Sequence, residues 1–449
     1  MNKQRKWSSL SSMLLLSTVF LLMAPSVQAV PAFARQTGQN CVACHVSYPE
    51  LTPYGRWFKL SGYTIGARQN FPIAMMAQVA RTTIKNNDDG TGTNTLVAAR
   101  DGDFALNGAS LFVAGKATDN IGGFVQWTFA QAYNTDGTSS GHSGIDNTDL
   151  RAVGRLGSDD VKLLYGLTVH NNPTVQDVWN STPAFGFPYT VSPTATLPLP
   201  SAKIEGALAQ QVVGVGLYGF YDNTWYGELT AYRAADRAFS VLRAGHAFAH
   251  RLSGVNPYVR LAYNKEWDVH SLMLGAFGLR VGEHVDPTDA GSGLDRFTDL
   301  GIDAQYQYIT NPHTLTAQVT YLKERQFLDA TFGQGGSANS TNDLRSVKLK
   351  ATYYYDRKYG VTLSEFSRRG SADVLLYPSG AVFGSAIGRP DSRGYIAELN
   401  YLPLQNVRLM LQYTGYSQLS GGNGAGYDGA TSRKPHDNNT LMFNVWVSY

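Results

Sequence analysis

The chain has 449 residues, of which 16% are charged, with 46 glycines, 26 tyrosines and 20 phenylalanines. Its 37 basic residues exceed its 34 acidic ones by three, and Lys3, Arg5 and Lys6 supply that excess, so the rest of the chain is neutral. A neutral chain has no basic field for nucleic acid, and no apolar run reaches the ~20 residues of a membrane-spanning helix.

Residues 1–29 read as a cleaved secretory signal. A basic start is followed by an apolar core from Leu14 to Met23 and the small-residue site Val27-Gln28-Ala29. That core is too short to serve as a membrane anchor.

Residues 30–70 carry Cys41-Val42-Ala43-Cys44-His45. C-x-x-C-H is the pattern of covalent c-type haem attachment. Its two thiols reach the two vinyl groups of one porphyrin, and the histidine becomes the proximal iron ligand. A thioredoxin-like pair would sit in a βαβ surround, and a zinc site would need a second cysteine pair. The chain has two cysteines in all, and neither context is present. One covalent haem c is therefore expected on Cys41, Cys44 and His45, and export fits, because such attachment happens outside the bacterial cytoplasm. Thr52 followed by Pro53 is a helix start and Gly62 a stop, so a helix is predicted over 53–60, beside a helical turn at the motif. A segment of about forty residues cannot bury a haem alone. Arg35, Arg56 and Lys59 are candidates for the haem propionates, or else plain surface cations.

From Phe71 onward apolar and polar residues alternate in stretches of about ten, the signature of strands in a membrane barrel. Strands are predicted near 71–84, 104–117, 121–133, 147–157, 161–170, 207–219, 225–235 and 256–265. Eight more follow near 269–281, 297–309, 314–325, 343–355, 359–369, 392–402, 406–417 and 439–449. Short turns such as 118–120, 158–160, 222–224 and 310–313 alternate with long connections at 85–103, 171–206, 326–342 and 418–438. That alternation separates an outer-membrane barrel from a soluble sandwich. The chain ends on Tyr449, and Tyr353, Tyr354, Tyr355, Tyr401, Tyr413, Tyr416 and Tyr449 fall where aromatic girdles belong. The expected fold is all-β: residues 71–449 form a transmembrane antiparallel β-barrel of about sixteen strands, and the small N-terminal haem-c segment plugs its lumen.

Alternation points Arg151, Arg155, Glu228, Arg260, Asp303, Lys348, Lys350, Glu398 and Arg408 into that lumen. Most fit an ordinary polar lining, and a few are candidates to hold haem propionates or the plug. Met76 is the first candidate for the distal iron ligand, with Met410, His170 and His270 as alternatives; a thioether would raise the potential relative to a second imidazole. Loop carboxylates Asp88, Asp89, Asp101, Asp103, Asp286, Asp289 and Asp295 offer hard oxygen donors for a metal cation, or are simply solvated charges. Loop 236–255, with Arg243, His246 and His250, reads as partly helical.

The stretch Phe33–Thr64, FARQTGQNCVACHVSYPELTPYGRWFKLSGYT, resembles the haem segment of the fused monohaem cytochrome–porins of the bacterial outer membrane. The likeness covers C-x-x-C-H with the flanking F-A-R-Q-T-G and P-E-L-T-P-Y-G-R-x-F-K-L; beyond residue 70 it is architectural. It implies an oxidoreductase that takes electrons from extracellular Fe(II) and hands them to a periplasmic carrier, as some family members do. For single residues it implies attachment through Cys41 and Cys44 and ligation by His45. One-electron chemistry needs no general base or nucleophile, and the chain shows no triad or paired-carboxylate motif. A solute porin with a haem-bearing plug is the alternative.

Overall fold

The computed structural model describes residues 31–449 apart from 89–100, 134–138, 158–161, 184–189, 193, 199 and 246. The signal expected at 1–29, the turn at 158–160, Asp89 and His246 lie outside the described residues. The described residues begin with three short helices and a small hairpin. These are Pro31–Thr37 (α1), Cys41–Cys44 (α2), His45–Ser47 (β1), Glu50–Leu51 (β2) and Pro53–Leu60 (α3).

Sixteen strands follow. They are Ile73–Ile84 (β3), Phe104–Lys116 (β4), Ile121–Tyr133 (β5), Ser139–Leu156 (β6), Leu163–His170 (β7), Val212–Tyr221 (β8), Trp225–Ala234 (β9) and Asn256–Trp267 (β10). Then come His270–His284 (β11), Leu294–Ile309 (β12), His313–Phe327 (β13), Thr341–Tyr355 (β14), Tyr359–Gly370 (β15), Ser392–Leu404 (β16), Val407–Gln418 (β17) and Thr440–Ser448 (β18). Each pairs with the next, and β18 pairs antiparallel with β3 from Thr440↔Ile84 to Ser448↔Met76. The sheet is a closed barrel and has no free edge.

The two faces of the wall decide what it faces. Leu217, Leu229, Leu261, Leu300 and Leu363 point outward and are 60–63% exposed. Their neighbours Glu228, Thr230, Arg260, Asp303 and Thr362 point inward and are buried. A soluble sandwich would reverse that distribution; apolar-out and polar-in is the wall of a membrane barrel. Tyr353, Tyr355, Tyr401 and Tyr449 stand exposed near the short-turn end, as expected of a girdle. Tyr354 and Tyr416 do not: they sit at inward positions of β14 and β17 and are buried in the lumen. Three consecutive tyrosines cannot share one face of a strand with period two.

The lumen is filled from both ends. Residues 31–70 enter from the short-turn side. The connection between β7 and β8, expected as an external loop, folds inward from the other side and buries Val175, Val178, Trp179, Ala202, Ile204 and Leu208. Its last turn, Lys203–Ala207, occupies the stretch where β8 was expected to begin, and so β8 starts at Val212. In loop 236–255 the expected helical character is a 3-10 turn over Arg237–Leu242.

Candidate functional site

The motif is held by the helix that follows it. The Thr52 hydroxyl accepts from Gly55 N at 3.2 Å, capping α3 as Thr-Pro predicts, and the same hydroxyl donates to Ala43 O at 2.5 Å. Thr52 N donates to Cys44 O at 2.9 Å. A Cβ added at Gly55 would lie 2.2 Å from Cys44 O, so only glycine lets α3 approach the motif this closely. Gly55→Ala is expected to cost about 1–3 kcal/mol of local overpacking. The readout is proteolysis of detergent-solubilised protein, with cleavage between residues 31 and 70 faster than in wild type and the barrel intact.

Lumen side chains then grip the segment. Arg408 donates to Tyr48 O at 2.9 Å, and Lys350 pairs with Glu50. Tyr354 donates to Ser47 Oγ at 3.0 Å, and Tyr218 to Leu60 O at 2.6 Å. Arg151, salt-bridged to Asp149 at 2.8 Å, covers the Tyr63 ring, and Tyr63 donates to Asp149 at 2.7 Å. Arg260 with Asp177 (3.4 Å), Asp303 with the Ser181 hydroxyl (2.5 Å), Glu228 with Gln176 (2.6 Å) and Lys348 with Glu205 hold the inward-folded loop instead. Glu398 is buried beside Arg408 at 3.4 Å, while Arg155 is exposed near the end of β6. The polar lining is therefore mostly a set of clamps on two inserted segments.

Between plug and wall lies a cavity of about 370 Å³, lined by Cys41, Cys44 and His45 on one side and by β3–β6 on the other. The rings of Phe33, Phe58, Tyr63, Phe112, Phe124 and Trp446 face it, among polar and small residues. Cys41 is 5% exposed, and the two cysteines form no disulfide. Burial pushes the His45 imidazole down to about 4, against a smaller opposing pull from the Glu50 backbone. It is thus neutral at pH 7, the form that can bind a metal. The indole N–H of Trp446 is buried in the cavity wall with no acceptor.

Of the four distal candidates, Met76 alone lines this cavity, packed against Cys41, Tyr48 and Trp446. Met410 is buried elsewhere, among Ala80 and Met442. His170 faces the lumen, but both ring nitrogens are engaged, by Thr168 at 3.1 Å and Tyr232 at 2.7 Å. His270 takes an outward position on β11, contrary to its expected lumen orientation, and stacks on Trp267. Among the cations, Arg35 donates to Ile73 O (2.6 Å), and Arg56 to Gln307 and Ser271 (both 2.6 Å); neither lines the cavity. Lys59 does line it, with its ammonium on the carbonyls of Val175 and Asp177 at 2.7 and 2.6 Å.

Similar solved structures are outer-membrane barrels. "Salmonella typhi OmpF complex with Daunomycin" is 13% identical over 84% of this chain and 97% of that one, with a TM-score of 0.46. The outer membrane channel DcaP of Acinetobacter baumannii is 11% identical over 84% and 96%, with a TM-score of 0.43. Vibrio cholerae OmpT, in a loop-deleted form, is 10% identical over 84% and 98%, also at 0.43. The likeness is one of barrel shape. No family model matches the chain, and no curated protein matches it.

From the cavity a column of rings and guanidinium groups climbs the lumen. Arg151 lies 5.5 Å from the Tyr63 ring and 5.2 Å from that of Tyr218. Tyr218 stacks with Tyr226 at 6.2 Å, and Tyr226 meets Trp179 edge-on at 5.3 Å. Arg260 bridges Trp179 and Phe277 at 5.6 and 5.7 Å, and Phe277 joins the buried cluster of Tyr258 and Phe297 near the long-loop end. Sequence alternation places the strand residues among these inward, but it says nothing of Tyr63 and Trp179, which lie outside the strands, nor that any of them touch.

The loop carboxylates divide. Asp88, Asp286 and Asp289 are exposed, and Asp103 is exposed at the foot of β4. Asp101 accepts from Ile84 N at 2.6 Å, and buried Asp295 caps the helix Asp329–Gly333 through Ala330 N at 2.9 Å. Among the described residues no three His, Cys, Asp or Glu side chains converge as metal ligands.

Proposed function

We propose that this chain is an outer-membrane c-type cytochrome that carries one covalent haem inside a barrel. It oxidises Fe(II) outside the cell and passes each electron inward to a periplasmic carrier. One observation carries the reading: the chain's two cysteines, His45 and Met76 line a single lumenal cavity. That donor set fits a haem c, and the cavity falls within the roughly 300–1,000 Å³ of cofactor sites. The acceptor-less Trp446 N–H offers a hydrogen bond that a propionate would take. When bound, the haem supplies a one-electron acceptor: an outside Fe(II) becomes Fe(III), and the electron leaves to a carrier on the short-turn side.

The chain's own residues do the positioning. Cys41 and Cys44 fix the porphyrin, neutral His45 offers the proximal nitrogen, and Met76 offers a thioether from the wall. The hydrocarbon layer is about 30 Å thick, and the packed column from Tyr63 to Phe277 fills much of the lumen along the way. The deciding measurement is the visible spectrum of outer-membrane vesicles before and after adding Fe(II). A c-type spectrum that becomes reduced is expected; one that Fe(II) leaves oxidised overturns the donor, and absence of covalent haem overturns the whole reading.

A solute porin is the second reading, favoured by the sixteen strands, a size that can enclose an aqueous channel. With two segments inserted, the full-length protein is expected to hold planar-bilayer conductance far below that of an open barrel. A large, stable conductance with the haem in place would favour the porin.

A further inference from the structure

At the long-loop end a second cavity, of about 650 Å³, opens between β11–β13 and the loop 371–391. Its floor carries Glu283, Asp295, Glu324 and Gln326. Asp299 stands beside Glu324 in register on the neighbouring strand, Asp299↔Glu324. Both are buried, and their carboxyl groups are in contact. Two carboxylates that touch need a proton or a cation between them.

The surrounding donors do not meet that need. Lys203 N reaches Glu324 Oε2 at 2.6 Å, Ile204 N reaches Asp299 Oδ2 at 2.8 Å, and Gln326 Nε2 reaches Glu324 Oε1 at 2.7 Å. Asp299 Oδ1 and Gln326 Oε1, on residues 1% and 6% exposed, face no donor. The Lys203 ammonium is engaged by Glu283, which His250 also meets, and Glu205 behind the pair is matched by Lys348 and Arg368. Asp295 is occupied in capping its helix. A cavity-lining carboxylate, its buried partner and an amide oxygen with no donor are left over.

We propose that this outer cavity binds a hydrated divalent cation on Glu324, Asp299 and the Gln326 carbonyl. Hard oxygen donors suit such an ion. With only two carboxylates, the cation keeps part of its water and binds weakly, as a substrate that must turn over should. The cation site stands on the geometry alone; that its natural occupant is the electron-donating Fe(II) rests on the function proposed above.

The probe is Mn(II), followed by electron paramagnetic resonance on the full-length protein in detergent. Wild type is expected to bind one Mn(II) per chain. Glu324→Gln and Asp299→Asn should each weaken binding at least tenfold, and Gln326→Glu should tighten it several-fold, with strand content by circular dichroism unchanged. Glu365→Gln, on an exposed carboxylate paired with Arg393, serves as the control and should leave affinity as it is. No binding at millimolar Mn(II), or one affinity across all these variants, overturns the site. Should a carboxylate variant fail to fold, an unaltered affinity in Gln326→Glu overturns it alone. Two results separate this inference from the function. Mn(II) bound, with Fe(II) leaving the haem spectrum unmoved, supports the cation site and removes iron as donor. Fe(II) reducing the haem with the same concentration dependence in wild type and Glu324→Gln overturns the site and keeps the donor.

Discussion

Replacing both Cys41 and Cys44 by alanine is expected to yield a barrel with no covalent haem. Every hydrogen-bonded ladder of the wall joins β3–β18 to one another, and residues 31–70 contribute none of them. Closure of the sheet therefore does not depend on the thiols, and strand content should match wild type. Haem-linked peroxidase staining after denaturing electrophoresis should fall to background, because the thioether bonds are what survive denaturation. His45→Ala separates attachment from ligation: the stain should persist while the spectrum changes and reduction by Fe(II) is lost. A double-cysteine variant that kept its stain would sink the cofactor assignment.

The second large effect is expected at Met76. It takes an inward position on β3 beside Cys41, Tyr48 and Trp446, whereas the adjacent Met75 is 50% exposed on the outer face. On the proposed ligation, exchanging this thioether for an imidazole would remove the ligand that raises the potential. Met76→His should lower the midpoint potential by on the order of 0.1 V, within the ~0.8 V over which axial ligands move haem iron. Met76→Ala should let added imidazole bind at concentrations that leave wild type unchanged. Equal potentials in wild type and Met76→His would move the distal ligand off this residue.

Most of the wall was legible because a strand declares its two faces with period two. Turn residues such as Asp222-Asn223 mark the strand ends, and all sixteen expected segments carry a strand. The α3 helix matches its expected limits because a threonine cap and a proline are local signals that need no tertiary context. At Tyr354, Tyr416 and His270 the strand's period of two, not the residue type, sets the face. The 171–206 connection was unreadable for a different reason. Its inward fold depends on Arg260, Glu228 and Lys348, residues far along the chain whose partners no local pattern reveals. The same holds for Asp299 and Glu324, which meet only through strand register. The inward position of Met76 follows from its parity on the strand that directly succeeds the plug. For Arg35 and Arg56, the local sequence shows a cation near the motif but not the wall partners, Ile73, Gln307 and Ser271, that engage it.

Cys41 is sealed once the segment docks, with 5% of its surface left, and side chains from β6, β8, β11, β12, β14 and β17 are among the groups that hold the segment there. Any enzyme that joins porphyrin to these thiols must reach them while the segment is still loose. On the function proposed above, maturation runs in a set order, cofactor first and insertion second.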